Sequence, residues 1–298
     1  MQYEKLDYVP YLRGNSYVRV TESGNIIDVT YMEKRNDSQT VKLLGNGKMM
    51  IVSTGEIIDI SNGENRLDYK SNLFRTFRRI RNLVNANVID SEYCRWVTLT
   101  YAENMQDTKR LMRDFDSFRK RFQRYCVNKS IPIPDYIAVP EPQQRGAWHL
   151  HIIYIWHDVK APYIENDVLR NIWGHGFVSI KALANVDNIG AYLCAYLGDL
   201  ETDSPCGIEK EFLSDDGKPI KKNIIKGGRL SLYPANFNMI RHSQGIIQPN
   251  VYDCEFWDIK EKVSSAKETY SQAFQISDES FCSVIIRKQY NLCRKNSQ

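Results

Sequence analysis

The sequence predicts an α+β fold. Its centre is an antiparallel β-sheet with helices packed on one face, a ferredoxin-like or split-βαβ arrangement, and a small N-terminal β-rich segment precedes it. Three observations predict this. Residues 95–200 read in the order β-α-β-β-α-β-α. Apolar side chains recur at steps of three and four in the helical stretches. Short runs of strand formers divided by turn signals fill residues 16–60.

The N-terminal runs are "SYVRV", "NIIDVTYM", "TVKLL", "KMMIV" and "EIIDI", separated at "ESGN", "GNGK" and "STGE". A basic helix over 71–86 follows, with Leu73, Phe77, Ile80 and Val84 at helical spacing. "CRWVTLTYAEN" supplies a strand through Trp96, Val97, Thr98, Leu99 and Thr100. Asn104 or Asp107 caps the next helix, whose stripe runs Leu111, Phe115, Phe118, Phe122, Tyr125 until "NKSIPIP" breaks it. "DYIAVPEPQQRGAWHLHIIYIW" reads as a hairpin, with strands over 135–142 and 147–156 and the turn in "PQQRG". "ENDVLRNIW" is a short helix stopped by Gly174, "GFVSIKAL" a strand, and "NVDNIGAYLCAYLGDL" a helix starting near Asn185 or Asp187. Residues 201–250 are loop-rich, with "RLSLYP" a candidate strand. A charged helix over 257–270 and a strand in "SFCSVIIRKQY" close the chain. The expected division is residues 1–68, a main domain over 69–250, and an extension over 251–298 packing on the core.

The 298 residues are 42% hydrophobic, enough for a sizeable core. No run approaches the roughly 18–20 apolar residues of a membrane span, and the N-terminus has no secretory pattern. The seven cysteines are scattered, odd in number and free of CxxC. They suit reduced thiols in a cytoplasmic protein rather than disulfides or a zinc knuckle. The net charge of +4 alone identifies no nucleic-acid partner. Three local clusters say more: Lys70, Arg75, Arg78, Arg79 and Arg81; Arg113, Arg119, Lys120, Arg121 and Arg124; Lys218, Lys221, Lys222, Lys226 and Arg229. Each fits a solvated surface or a phosphate contact.

His149 and His151 are two of only five histidines and lie two apart on a strand, so both point to one face. Two adjacent imidazoles form a divalent-metal ligand pair. Glu141, on the partner strand, becomes a third ligand if the hairpin register places it opposite His149; a turn one residue different turns it away. Gln143 is a reserve ligand. Two imidazoles and one carboxylate suit Mg²⁺ or Mn²⁺ held with a phosphate. Tyr192 and Tyr196 lie four apart on one helix face, either as packing rings or as nucleophiles. A phenol with a pKa near ~10 is a poor nucleophile unless the phosphate it attacks is polarised. The product would be a phosphotyrosine ester and a free 3′-hydroxyl, which keeps the bond energy for rejoining.

Taken together, "WVTLTYAEN", "PEPQQRGAWHLHII" and "NVDNIGAYLCAYLGD" resemble the three motifs of HUH endonucleases, the rolling-circle replication initiators of small plasmids and of single-stranded-DNA or filamentous phages. The shared patterns are T-L-T-x-A-E-N, E-x-Q-x-R-G-A-x-H-x-H and G-A-Y-x-x-x-Y. The resemblance covers about residues 70–245, including "RTFRRIRNLVNANV" and "LYPANFNMIRHSQGI". It implies a nickase with an RRM-like sheet and the histidine pair on a middle strand. His149, His151 and Glu141 would hold Mg²⁺ or Mn²⁺; Tyr192 would be the first candidate nucleophile and Tyr196 the second. Thr98, Thr100, Arg145, Arg78, Arg79 and Arg121 are the expected DNA contacts. Single-stranded and origin DNA are the expected partners, with a host helicase or polymerase and no membrane. Many relatives carry lysine where Ala195 stands, and some carry one at Asp199. A relaxase or transposase shares the chemistry, although relaxases usually cluster three histidines and His157 and His175 lie off the motif. A DNA- or RNA-binding regulator with a dead site is the remaining alternative.

Overall fold

A computed structural model describes residues 2–34, 41–45, 48–51, 55–59, 70–143, 145–183, 188–198, 200–201, 208–213, 219–225, 232–234, 237–277 and 281–295. The chain divides into two compact units, one of residues 1–63 with 248–298 and one of residues 64–247.

The first unit begins with β1 (Gln2–Lys5), β2 (Tyr17–Ser23) and β3 (Ile26–Met32), then a small sheet of β4 (Val41–Gly45), β5 (Lys48–Ile51) and β6 (Ile57–Asp59). In β2 the alternation of Tyr17, Val18, Arg19 and Val20 buries both valines and leaves Tyr17 and Arg19 exposed, as a sheet with one covered face requires.

The second unit runs α1 (Lys70–Asn87), β7 (Cys94–Thr100), α2 (Thr108–Asn128), β8 (Asp135–Pro142), β9 (Trp148–Ile155), α3 (Asn166–Trp173), β10 (Val178–Lys181) and α4 (Ile189–Gly198). After it come β11 (Leu200–Glu201), β12 (Ile208–Leu213), β13 (Pro219–Ile225) and β14 (Arg241–His242). Five of these strands form an antiparallel sheet in the order β10-β7-β9-β8-β14, with β9 in the middle. Strands β11, β13 and β12 form a separate three-stranded sheet.

The central sheet is covered on both faces, not on one as the sequence reading expects. Helix α2 packs on one face, with Phe115 against Tyr136 and Phe122 against Tyr154, ring centroids 5.5 and 4.7 Å apart. Helix α4 reaches the other face, where Tyr192 meets Trp96, and α1 packs against α4. The cause lies in β9, "WHLHIIYI": seven of its eight residues are buried, so both faces need cover. The stripe expected in α2 is present, with Leu111, Phe115, Phe118 and Phe122 buried and Cys126 ending it beside half-buried Tyr125. Asp107, not Asn104, caps that helix by accepting from the backbone N–H of Lys109 and Arg110 at 2.8 and 3.1 Å.

The chain then returns to the first unit. β15 (Asn250–Glu255), α5 (Phe256–Ser264), β16 (Ala266–Ser277) and β17 (Cys282–Lys295) complete a six-stranded sheet in the order β1-β16-β17-β3-β2-β15. Residues 251–298 are therefore strands and a helix of the N-terminal unit, not an extension of their own. The expected helix over 257–270 ends at Ser264, and residues 266–270 already belong to β16, where pairing with β17 overrides local helix propensity. Phe256, Ile259 and Val263 of α5 close the core over Val18, Val20, Ile27, Val29 and Ile286. The run at 229–234 falls partly outside the described residues, as do Asn185 and Asp187. The six described cysteines are free thiols, and no helix among the described residues is long and apolar enough to cross a membrane.

Four of the five tryptophans lie in the second unit, so fluorescence-detected denaturation reports mainly on it. Phe118→Ala should lower its stability by about 3–5 kcal/mol, and Asp107→Ala by about 1 kcal/mol. Equal effects from the two would contradict the buried stripe and the cap.

Candidate metal centre and tyrosine helix

The site is set by strand register. Glu141 pairs directly with His149, and Val139 with His151, so Glu141 and both histidines share a face. On the other side of β9, Thr100 faces His149 and Thr98 faces His151. One ligand atom from each of Glu141, His149 and His151 lies within 4.8 Å of the others, which makes them a candidate metal-binding group. Glu141 and His151 are buried, each about 1% exposed, while His149 is half-buried.

Each polar group has a traceable role. His151 Nε2 contacts Glu141 Oε2 directly. Its Nδ1 lies 3.2 Å from Thr98 Oγ1, which also accepts from Trp96 Nε1 at 3.2 Å. A hydroxyl oxygen has two lone pairs, so Thr98 can accept from indole and imidazole together. That leaves Nε2 as the lone-pair nitrogen turned to the carboxylate. His149 Nε2 is buried without a hydrogen-bond partner, the kind of orphaned acceptor or donor that folded proteins rarely leave. Burial pushes His149 down to about 4, helped by the charges of His151 and Arg145. Burial pushes His151 to about 3; the Glu141 carboxylate works the other way but does not prevail in so closed a position. Both imidazoles are then neutral near pH 7 and can donate lone pairs. The donor set of two neutral nitrogens, one carboxylate and one orphaned nitrogen fits a divalent cation.

The turn that delivers this register spans residues 143–147. Gly146, at φ +83, closes it, with its N–H bonded to Gln143 O and the N–H of Gln143 to Ala147 O, both at 2.8 Å. Trp148 is pinned behind it through Nε1 to Gln106 O, at 3.0 Å, and its ring stacks on Phe237, 4.8 Å away. The hydroxyl of buried Tyr233 donates to Pro140 O at 3.0 Å, directly before Glu141.

The tyrosines stand on α4. Asn188 begins the helix by accepting from Ala191 N at 3.0 Å. Asn85 of α1 donates to Asn188 Oδ1 and accepts from Gly190 N, at 3.0 and 2.9 Å. A Cβ on Gly190 would sit 2.3 Å from Arg81 O, so the two helices touch at backbone distance. Tyr192 is 49% exposed, and its ring meets Trp96 edge-on with centroids 5.7 Å apart. Trp96 in turn meets His151 at 5.6 Å. Tyr196 follows one turn later in α4, and its side chain lies outside the described set.

The structure distributes the expected DNA contacts unevenly. Arg145, Arg78 and Arg79 are exposed, and Thr100 lies beside His149. Thr98 faces His151 rather than open solvent. Arg121 donates to Ile172 O and Trp173 O, at 2.8 and 3.1 Å, where it satisfies the carbonyl end of α3 on the α2 side of the sheet. Gln143, the reserve ligand, accepts from Arg145 Nε at 3.1 Å. His157 pairs with Asp135 at 2.9 Å and His175 lies 3.8 Å from Asp114, so neither joins the cluster. Sequence reasoning missed Trp96 and Asn85 as parts of the site. Trp96 reads as an ordinary strand former, and the asparagines of "NLVNAN" carry no local signal.

Residues 94–201, 108 of the 298, match the model of a family described as replication-associated protein ORF2. The matched span contains β7 through β11, and with them the triad and both tyrosines. The match supports a replication initiator protein. No curated protein and no solved structure matches the chain.

Two measurements check the geometry. Thr98→Val should weaken Mn²⁺ binding by about 10–100-fold, the usual effect of losing an outer-shell partner, and Glu141→Gln should weaken it further; calorimetry or the free-Mn²⁺ signal reads both. Unchanged affinity in Glu141→Gln would exclude the triad as the binding site. Gly190→Ala should part α4 from α1 and quench or shift Trp96 emission while Mn²⁺ binding survives.

Proposed function

We propose that the chain is a rolling-circle replication initiator that nicks one DNA strand at an origin and later rejoins it, an HUH-type endonuclease and strand transferase. The observation that carries this reading is the assembly of Glu141, His149 and His151 on one sheet face, with Trp96 touching both His151 and Tyr192.

Glu141, His149 and His151 would hold Mg²⁺ or Mn²⁺, which when bound polarises the scissile phosphate as a Lewis acid. Thr98 fixes the imidazole of His151 by its hydrogen bond, so the donor nitrogen keeps its aim. Tyr192 attacks the phosphorus: a bond forms between its phenolic oxygen and the 5′-phosphate, the bond to the 3′-oxygen breaks, and the phenolic proton is lost as the 3′-oxygen gains one. The reverse attack by a 3′-hydroxyl releases Tyr192 and seals the strand. Tyr196 is the second candidate, one turn away and able to take over the strand in a second transfer. Exposed Arg78, Arg79 and Arg145 provide charge for single-stranded DNA on approach, and Thr100 borders the phosphate. A host helicase or polymerase would work on the freed 3′-end, and the cytoplasm is the compartment this implies.

The test uses labelled single strands from the origin of the encoding element with Mn²⁺. A protein–DNA band that survives denaturation is expected from the wild type and lost with EDTA. Tyr192→Phe should remove that band, and Tyr196→Phe should keep the first cleavage while reducing strand transfer. No band with any origin strand or metal would refute the enzyme in favour of a DNA-binding regulator; full activity in both variants would refute the assignment to Tyr192.

A further inference from the structure

Attack of a phenol on a phosphodiester gains from a cation beside both, because the phosphate is already an anion and more charge develops during transfer. Helix α4 supplies none next to Tyr192: its neighbours there are Ala191, Leu193, Cys194 and Ala195. Strand register supplies one from the sheet. β10 runs antiparallel to β7 with Lys181 directly opposite Trp96. Opposite residues share a face, with Cβ atoms about 4.5–5.5 Å apart. The indole of Trp96 is the ring that meets both Tyr192 and His151. Lys181 is exposed, as Tyr192 partly is, so both present their polar ends where a strand can reach. Arg145, by contrast, lies in the turn that leads into His149, on the far side of the histidine pair from Trp96.

Resting on the nicking function proposed above, we infer that Lys181 is the phosphate-binding cation of this centre. Its ammonium contacts a backbone phosphate of the DNA strand lying over Trp96 and offsets the charge that builds up as Tyr192 attacks. Ser179, opposite Thr98 on the same face, lies between this cation and the open end of β10.

The test separates a phosphate contact from a structural role. Binding of a fluorescein-labelled random-sequence single strand is followed by anisotropy at several KCl concentrations, using the full chain. One phosphate contact fewer flattens the slope of log K against log[KCl] by about 0.7. That change is expected for Lys181→Gln and for Lys181→Met, which keeps the aliphatic stem over Trp96, and Lys181→Arg should restore the wild-type slope. The same substitutions should slow adduct formation at saturating DNA by about tenfold or more, the factor that about 1.4 kcal/mol of lost transition-state stabilisation gives, again with rescue by arginine. An unchanged slope in both neutral variants overturns the inference even if the wild type forms the adduct. A wild type that binds DNA with a Lys181-dependent slope but forms no adduct refutes the nicking function and leaves the phosphate contact. A wild type that binds no single strand overturns both.

Discussion

The register between β8 and β9 is the constraint on which the candidate centre depends. Glu141 opposes His149 because five residues separate the paired ends Pro142 and Trp148. An odd number keeps Glu141 on the histidine face, and a slip of one residue would turn its carboxylate to the side packed by α2. Several independent bonds hold the register. Gly146 adopts the left-handed turn, Trp148 is tied to Met105 and Gln106, and Tyr233 holds the carbonyl before Glu141. Much of the loop-rich region after α4 thus has a task, which is to keep one carboxylate in place.

A buried carboxylate and two buried or half-buried imidazoles are costly in an otherwise apolar sheet. The structure offsets part of that cost and leaves part open. His151 is satisfied on both nitrogens, by Glu141 and by Thr98, with Trp96 behind Thr98. His149 Nε2 is not. That asymmetry is what a cation would relieve, and it explains why histidines occupy positions where valine or isoleucine would otherwise pack. In the sheet as folded, the first motif is the supporting layer of the second: Thr98 orients a histidine, and Trp96 spaces that histidine from the tyrosine helix.

What the sequence revealed and what it hid divide along sequence distance. The period of two placed His149 and His151 on one face, the steps of three and four placed the α2 stripe, and Asp107 carried the chemistry of its cap. All are local. Glu141 stayed ambiguous because its face turned on the parity of a turn that composition does not fix. Trp96 was hidden because its contact with Tyr192 needs α4 docked on the sheet, and that docking runs through Asn85, more than a hundred positions before Gly190. The same holds for β15, β16 and β17, whose partners are strands at the far end of the chain. Helix cover on both faces was readable only by noticing that β9 is apolar on its Leu150 side and on its Ile153 side alike.

The two halves of the candidate site differ in how firmly they are held. Glu141 and His151 are fixed by a sheet whose central strand is paired on both sides, so the ligand geometry has little freedom. Tyr192 stands on a helix joined to α1 by two asparagines and one glycine contact, and its ring is half exposed. A nucleophile that must reach a phosphate, remain joined to it and later release it needs more latitude than a ligand does. Buried ligands on a strand and a tyrosine on a lightly anchored helix meet those two demands separately, and Trp96 is where the rigid part and the adjustable part touch.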